Sequence, residues 1–246
     1  MKDDEIGDIM RLRNIGAVIM KIIARIHNDF KEKFGIPRQS GLSGELTSKI
    51  VFEPEYRNPD ALRGIEGFSH LWLIWQFSES IREGWSPTVR PPRLGGNKRM
   101  GVFATRSPFR PNPIGLSSVR LVAVESTKDE GAVLIVSGAD LLDGTPIYDI
   151  KPYVAYSDCH TDAVSGFADP AREYHLNVDF CKELLSKVHI SKQKALIQIL
   201  EQDPRPSYQN DPEREYGFRF ADYEIFFTVE GETLTVTKVE VKNDSK

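Results

Sequence analysis

About seven strand-length runs follow one another through the first 150 residues with one short helical signal among them, and that order restricts the architectures open to the chain. Ile15 to Ile26, rich in β-branched residues, predicts the first strand. Glu45 to Phe52 predicts the second by its alternation. His70 to Phe77 (HLWLIWQF) is apolar on both faces and predicts a buried central strand. Gly101 to Ala104 is a short strand candidate. Gly115 to Glu125 and Ala132 to Ser137 predict two strands across a Lys-Asp-Glu-Gly turn, and Thr145 to Ile150 a further one after Asp143-Gly144. Asn58-Pro59-Asp60 reads as an N-cap, a first-turn proline and an acid at the helix dipole, opening a short helix that ends around Gly64 or Gly67. Strands and helices of about a dozen residues do not alternate, and no GxGxxG follows a strand. A doubly wound Rossmann sheet is therefore disfavoured. The expected fold is β-rich α+β, a small β-barrel or curved mixed sheet over residues 14–160.

After Tyr156 the chain turns polar and turn-rich, and a smaller α+β lobe is expected over 166–246. Val178 to Glu201 has helical spacing, with Leu184, Leu185, Val188, Leu196, Ile197 and Leu200 as its apolar stripe and a break near Ser191. The prolines of QDPRPSYQNDPE end that helix. Tyr223 to Val229 and Thr233 to Val241 form a hairpin across Glu230-Gly231.

Hydrophobic residues make up 40% of the 246, enough for a sizeable core, and no window approaches the roughly 18 uninterrupted apolar residues of a membrane span. The start, MKDDEIGDIMRLRN, carries acids where a secretion signal needs a basic and then an apolar stretch, so a cytoplasmic protein is expected. Two cysteines, Cys159 and Cys181, are too few for a disulfide framework, and Cys159-His160 with Asp162 lacks a fourth ligand for a metal site. The net charge of −4 argues against coating nucleic acid by bulk electrostatics. Its distribution says more. From Gly84 to Val124 there is no acid, while Arg90, Arg93, Lys98, Arg99, Arg106, Arg110 and Arg120 contribute +7, leaving −11 for the remainder. A polyanion approaching one face, or a merely solvated basic loop, accounts for such an island.

Four groups of residues have chemistry to offer. Ala104 to Ser117 (ATRSPFRPNPIGLS) sets Arg106 and Arg110 four apart in a segment stiffened by three prolines, a low-entropy mount for phosphate or carboxylate forks; arginines bonding loop carbonyls are the alternative. Ile36 to Gly41 (IPRQSG) places Arg38 and Gln39 beside Gly41 and Gly44, which let a backbone or a ligand come close; an ordinary loop has the same composition. Gly138 to Tyr153 (GADLLDGTPIYDIKPY) gathers Asp140, Asp143 and Asp149 round a Gly-Thr-Pro turn. Asp143 there either bonds its own backbone or accepts a substrate proton or a ribose hydroxyl. His70 is a general base or a hydrogen-bonded core histidine, and Trp72, Trp75 and Phe77 read as core. A non-catalytic RNA- or nucleotide-binding barrel and a hydrolase built on His70 stand beside an enzyme acting on a nucleotide-like ligand.

PRQSG, RGIEGFSHLW, RPPRLGGNKRMGVFATRSPFRPNPIGLS, LLDGTPIYDIKPYVAY and QDPRPSY, in that order, resemble the TsaA-like, TrmO-type tRNA methyltransferase family from about Ile23 to Tyr156 and again at the second lobe's proline turn. The resemblance implies a β-barrel enzyme using S-adenosylmethionine, acting as a homodimer on N6 of threonylcarbamoyladenosine next to the anticodon of tRNA. It implies a cofactor pocket drawing on Pro37, Arg38, Gln39, Phe77, Ser78, Arg106, Leu116, Asp140, Asp143, Gly144 and Thr145, with Asp143 and Arg106 catalytic. It also implies a substrate side with Arg90, Arg93, Arg110, Asp203, Arg205 and Tyr208. His27-Asn28-Asp29 before Phe30 departs from the Arg-Ser-Pro-like turn usual after the family's first strand.

Overall fold

The computed structural model describes residues 20–33, 35–36, 40–41, 46–91, 98–167, 175–205 and 211–242. Six strands close on themselves in the order β1–β2–β7–β6–β3–β8: β1 Ala24–His27, β2 Thr47–Phe52, β3 His70–Gln76, β6 Ile114–Thr127, β7 Gly131–Ser137 and β8 Pro146–Pro152. All six junctions are antiparallel, and β1 completes the barrel by pairing Ala24 with Ile147 of β8. Along β3 burial alternates, so Leu71, Leu73 and Trp75 fill the interior while Trp72 and Ile74 lie half-buried outside. The strand is central in pairing, between β6 and β8, but only one of its faces is dry. β6 and β7 meet across Lys128 to Gly131, where Gly131 takes the left-handed φ of 71° that the turn requires. β1 occupies only the end of the expected Ile15–Ile26 run, of which 15–19 lie outside the described residues. The Asn58-Pro59-Asp60 helix is a 3-10 turn, Pro59–Leu62, with the Asn58 side chain accepting from the Asp60 N–H at 3.0 Å. Outside the barrel, β4 Thr88–Val89 and β5 Met100–Gly101 form a two-stranded ribbon, and Val102–Ala104 is a 3-10 turn where strand was expected.

The second lobe is a four-stranded sheet, β10–β11–β12–β9, built from β9 Asn177–Asp179, β10 Tyr216–Phe220, β11 Tyr223–Glu230 and β12 Thr233–Val241. After the short helices α1 Ala155–Asp158 and α2 Lys182–Leu185, α3 Ile190–Glu201 packs Ala195, Leu196, Ile199 and Leu200 on this sheet. The single helix expected from Val178 is thus a strand and two helices. Val178 pairs with Leu234, and the interruption falls just before Ser191, whose N–H bonds the His189 cap. An aromatic core of Phe218, Phe220 and Phe227 also takes in Phe30 and Leu46 from the segment joining β1 to β2. That segment is tied down by the Ala221 N–H to the Asp29 carbonyl at 2.9 Å, the Arg219 N–H to Glu32 Oε1 at 2.6 Å, and a Lys192–Asp29 ion pair. The departure at His27-Asn28-Asp29 therefore sits where the chain leaves the barrel for the second core.

Candidate functional site

One large cleft, about 1760 Å³, runs from the barrel mouth along the outer face of β3 to the second lobe. Its floor begins with a glycine. A Cβ at Gly115 would stand 2.2 Å from Trp75, so only glycine lets that indole lie across β6. Trp75 Nε1–H then donates to Ser117 Oγ at 2.9 Å, and the Ser117 hydroxyl donates to Asp140 Oδ1 at 2.5 Å. Burial pushes the Asp140 carboxyl above its ordinary range, while the Ser117 hydrogen bond and the attraction of Arg106 pull the other way. The Phe77 ring lies 4.3 Å from that of Trp75, and the Phe77 N–H holds the Pro113 carbonyl at 2.9 Å, fastening the proline-stiffened loop to the end of β3.

Of the residues expected at a cofactor pocket, Phe77, Ser78, Arg106, Leu116, Asp140 and Thr145 line this cleft. Pro37, Arg38 and Gln39 lie outside the described residues, but Ile36 and Ser40 on either side line it, and the Gly41 N–H bonds the Gly138 carbonyl at 2.8 Å. Asp143 and Gly144 do not line it. The Asp143 carboxylate accepts the Asn28 N–H at 2.9 Å and Lys31 Nζ at 2.8 Å, with His27 Nδ1 at 3.6 Å. Burial raises its pKa, but Lys31, the Asn28 N–H and His27 together hold it below the usual carboxylate value. These contacts brace the turn after β1. Gly144, at φ 76°, closes the turn by donating to the Ile26 carbonyl at 2.8 Å.

On the far wall, Asp203 and Arg205 form a buried fork, Nε to Oδ1 at 2.8 Å and Nη2 to Oδ2 at 2.9 Å. Asp203 adopts a left-handed φ of 52°, so the turn after α3 is held by this pair rather than by a glycine. Arg90 and Arg110 line the cleft as well; Arg93 and Tyr208 lie outside the described residues.

Two family models match this chain: the tRNA-methyltransferase O N-terminal domain at residues 25–159 and the TrmO C-terminal domain at residues 173–242. The chain belongs to the TrmO family. It is 42% identical to the tRNA (adenine(37)-N6)-methyltransferase of Escherichia coli (strain K12), covering 84% of this chain and 91% of that one. A protein of the same name from Eikenella corrodens is 47% identical over 66% of this chain and 92% of its own. RcsF of Pseudomonas aeruginosa, which its name describes as an S-adenosylmethionine-dependent methyltransferase, is 42% identical over 82% of this chain and 89% of its own. A crystal structure of TrmO from Pseudomonas aeruginosa matches with a TM-score of 0.74 at 35% identity, over 93% of this chain and 99% of that one.

In this TrmO-family chain several residues at or beneath the cleft escaped the sequence reading. Ser117 is buried in a strand of otherwise ordinary alternation. It stands opposite Leu73 of β3, while the indole it bonds belongs to Trp75, opposite Gly115. His70 is exposed at the cleft, not in the core, sharing a hydrogen bond between Nδ1 and Ser69 Oγ at 2.9 Å and meeting Tyr153 edge-on. Trp72 also faces the cleft, its Nε1–H donating to Asp158 Oδ2 at 2.8 Å. Among the described residues no group of three His, Cys, Asp or Glu could hold a metal, and no helix is long and apolar enough to cross a membrane.

Proposed function

We propose that this chain methylates N6 of threonylcarbamoyladenosine next to the anticodon of tRNA, working in the cytoplasm as a homodimer. Membership of the TrmO family makes it an S-adenosylmethionine-dependent tRNA adenine-N6 methyltransferase. The observation that carries the finer reading is one cleft with a partly buried acid at its floor and, on its walls, Arg90, Arg99, Arg106 and Arg110 from the acid-free stretch between Gly84 and Val124. The floor fits the cofactor's chemistry: Asp140 offers negative charge to a sulfonium, Phe77 and Leu116 offer apolar contact, and Arg106 offers a fork for a carboxylate. When bound, S-adenosylmethionine supplies a methyl group activated by its leaving thioether. Ser117 and Trp75 hold Asp140 in one orientation. A carboxyl raised by burial is the better base, and Asp140 accepts the N6 proton as the new N–C bond forms. Arg106 stays beside it to balance charge, while Arg90, Arg93 and Arg110 hold backbone phosphates of the anticodon loop. Asp203, Arg205 and Tyr208 serve the substrate side from the second lobe.

The test is calorimetric titration with S-adenosylmethionine followed by labelled-methyl transfer to two tRNA pools, one carrying and one lacking the threonylcarbamoyl group. Label confined to the first pool supports the reading; equal labelling of both refutes the modified substrate. Sedimentation of the same preparation checks the homodimer. Arg106→Ala should strongly reduce transfer, and charge reversal at Arg90 and Arg93 should weaken tRNA binding and flatten its dependence on salt.

A further inference from the structure

Above the cleft the two-stranded ribbon β4–β5 carries large aromatic rings into solvent. Trp85 is 54% exposed and Phe103 74%, with ring centroids 6.0 Å apart and planes inclined by 32°. Ribbon pairing of Thr88 with Gly101 and the Val102 N–H to Pro87 carbonyl bond at 2.9 Å bring the two positions together. Val102 is buried and anchors the turn that presents Phe103. Nearby Phe109, 40% exposed and lining the cleft, has the Arg82 guanidinium 3.8 Å from its ring centroid. Rings this exposed bury nothing in the barrel core, and all three stand in or beside the stretch from Gly84 to Val124 that holds seven cations and no acid.

We propose that Trp85 and Phe103, with the arginine-capped Phe109, form a stacking surface for the unpaired anticodon-loop bases that flank the methylated adenosine. This rests on the tRNA reading above and names the part of the cleft rim that grips the loop. An RNA loop is the occupant the charge selects: aromatic faces take up splayed bases of any sequence, and the cations between them track the phosphates. A second copy of this chain is the other source of apolar contact, and its net charge of −4 is spread over 246 residues, whereas an RNA loop carries a negative charge at every phosphate.

The experiment measures affinity for an anticodon stem-loop in the absence of S-adenosylmethionine, so that it stands even if the methyl-transfer reading fails. Trp85→Ala and Phe103→Ala should each weaken binding on the order of 10-fold, and the double variant on the order of 100-fold, while Trp85→Phe keeps most of it. Stem-loop titration should quench the wild-type tryptophan emission, and Trp85→Phe should lose that quenching while still binding. S-adenosylmethionine affinity should be unchanged in all four variants. Unchanged stem-loop affinity in the double variant overturns the proposal. So does a loss of affinity that sedimentation shows to follow from a change in the association state of the protein.

Discussion

Two carboxylates three residues apart, Asp140 and Asp143, lie in the same turn between β7 and β8 and have opposite settings. Asp140 faces the cleft, bonded to a neutral hydroxyl, and burial raises its pKa; Asp143 faces the β1–β2 segment, bonded to Lys31 and a backbone N–H, and its pKa is held down. The first costs stability when ionised, and in the proposed reaction it is the group that takes the proton. The second gains stability when ionised and is kept for the fold. What separates them is the partner each turn of backbone delivers, not the residue type.

The contrast breaks most visibly at Asp140. Asp140→Asn should cut methyl transfer by about 10²- to 10⁴-fold, the range of a lost general base, with a neutral-pH melting temperature equal to or above wild type. Steady-state transfer and thermal melting check both halves, and a large loss of stability would make Asp140 a structural acid after all. Gly115→Ala comes next. The added Cβ forces Trp75 off Ser117, which should cost about 1–3 kcal/mol by overpacking and weaken S-adenosylmethionine binding, measurable by denaturation and calorimetry.

Asp143→Asn should lower stability by about 1–3 kcal/mol through the loss of charged partners, with a smaller effect on transfer by the folded enzyme than Asp140→Asn. The sign with pH is set by the depressed pKa. The contribution of Asp143 is present above its unfolded-state value and disappears as pH falls through the lower folded-state value, so the variant should show less acid destabilisation in melts below pH 5. The smallest effect belongs to Ser117→Ala. Because the Ser117 hydrogen bond opposes the rise caused by burial, its removal should move the acid limb of the pH–rate profile to higher pH, with the plateau rate reduced less than in Asp140→Asn.

Much of the barrel was legible. The β6–β7 and β11–β12 hairpins follow from strand-length apolar runs joined by turn glycines, and β3 from a short run apolar on both faces, signals that act within a few residues. Of Val178 to Glu201, helical over Lys182–Leu185 and Ile190–Glu201 with the interruption near Ser191, only the start was misread, because pairing with β12 draws Val178 into a sheet. Six of the residues that the family motif assigns to a cofactor pocket line one cleft. The Ser117 link and the exposed place of His70 were not legible, since neither carries a local pattern.

Local spacing and turn chemistry were enough to specify the β3, β6, β7, β11 and β12 strands, the acid-free arginine segment and the stiff proline mount of Arg106, because each depends on neighbours close in the chain. The division of labour between Asp140 and Asp143 was decided by partners 23 and 115 residues away, Ser117 and Asn28. So was the place of Phe30 and Leu46 in the second lobe's core. Long-range contacts set burial and hydrogen bonding, and those determine which of two chemically identical acids has its pKa raised and which has it held down.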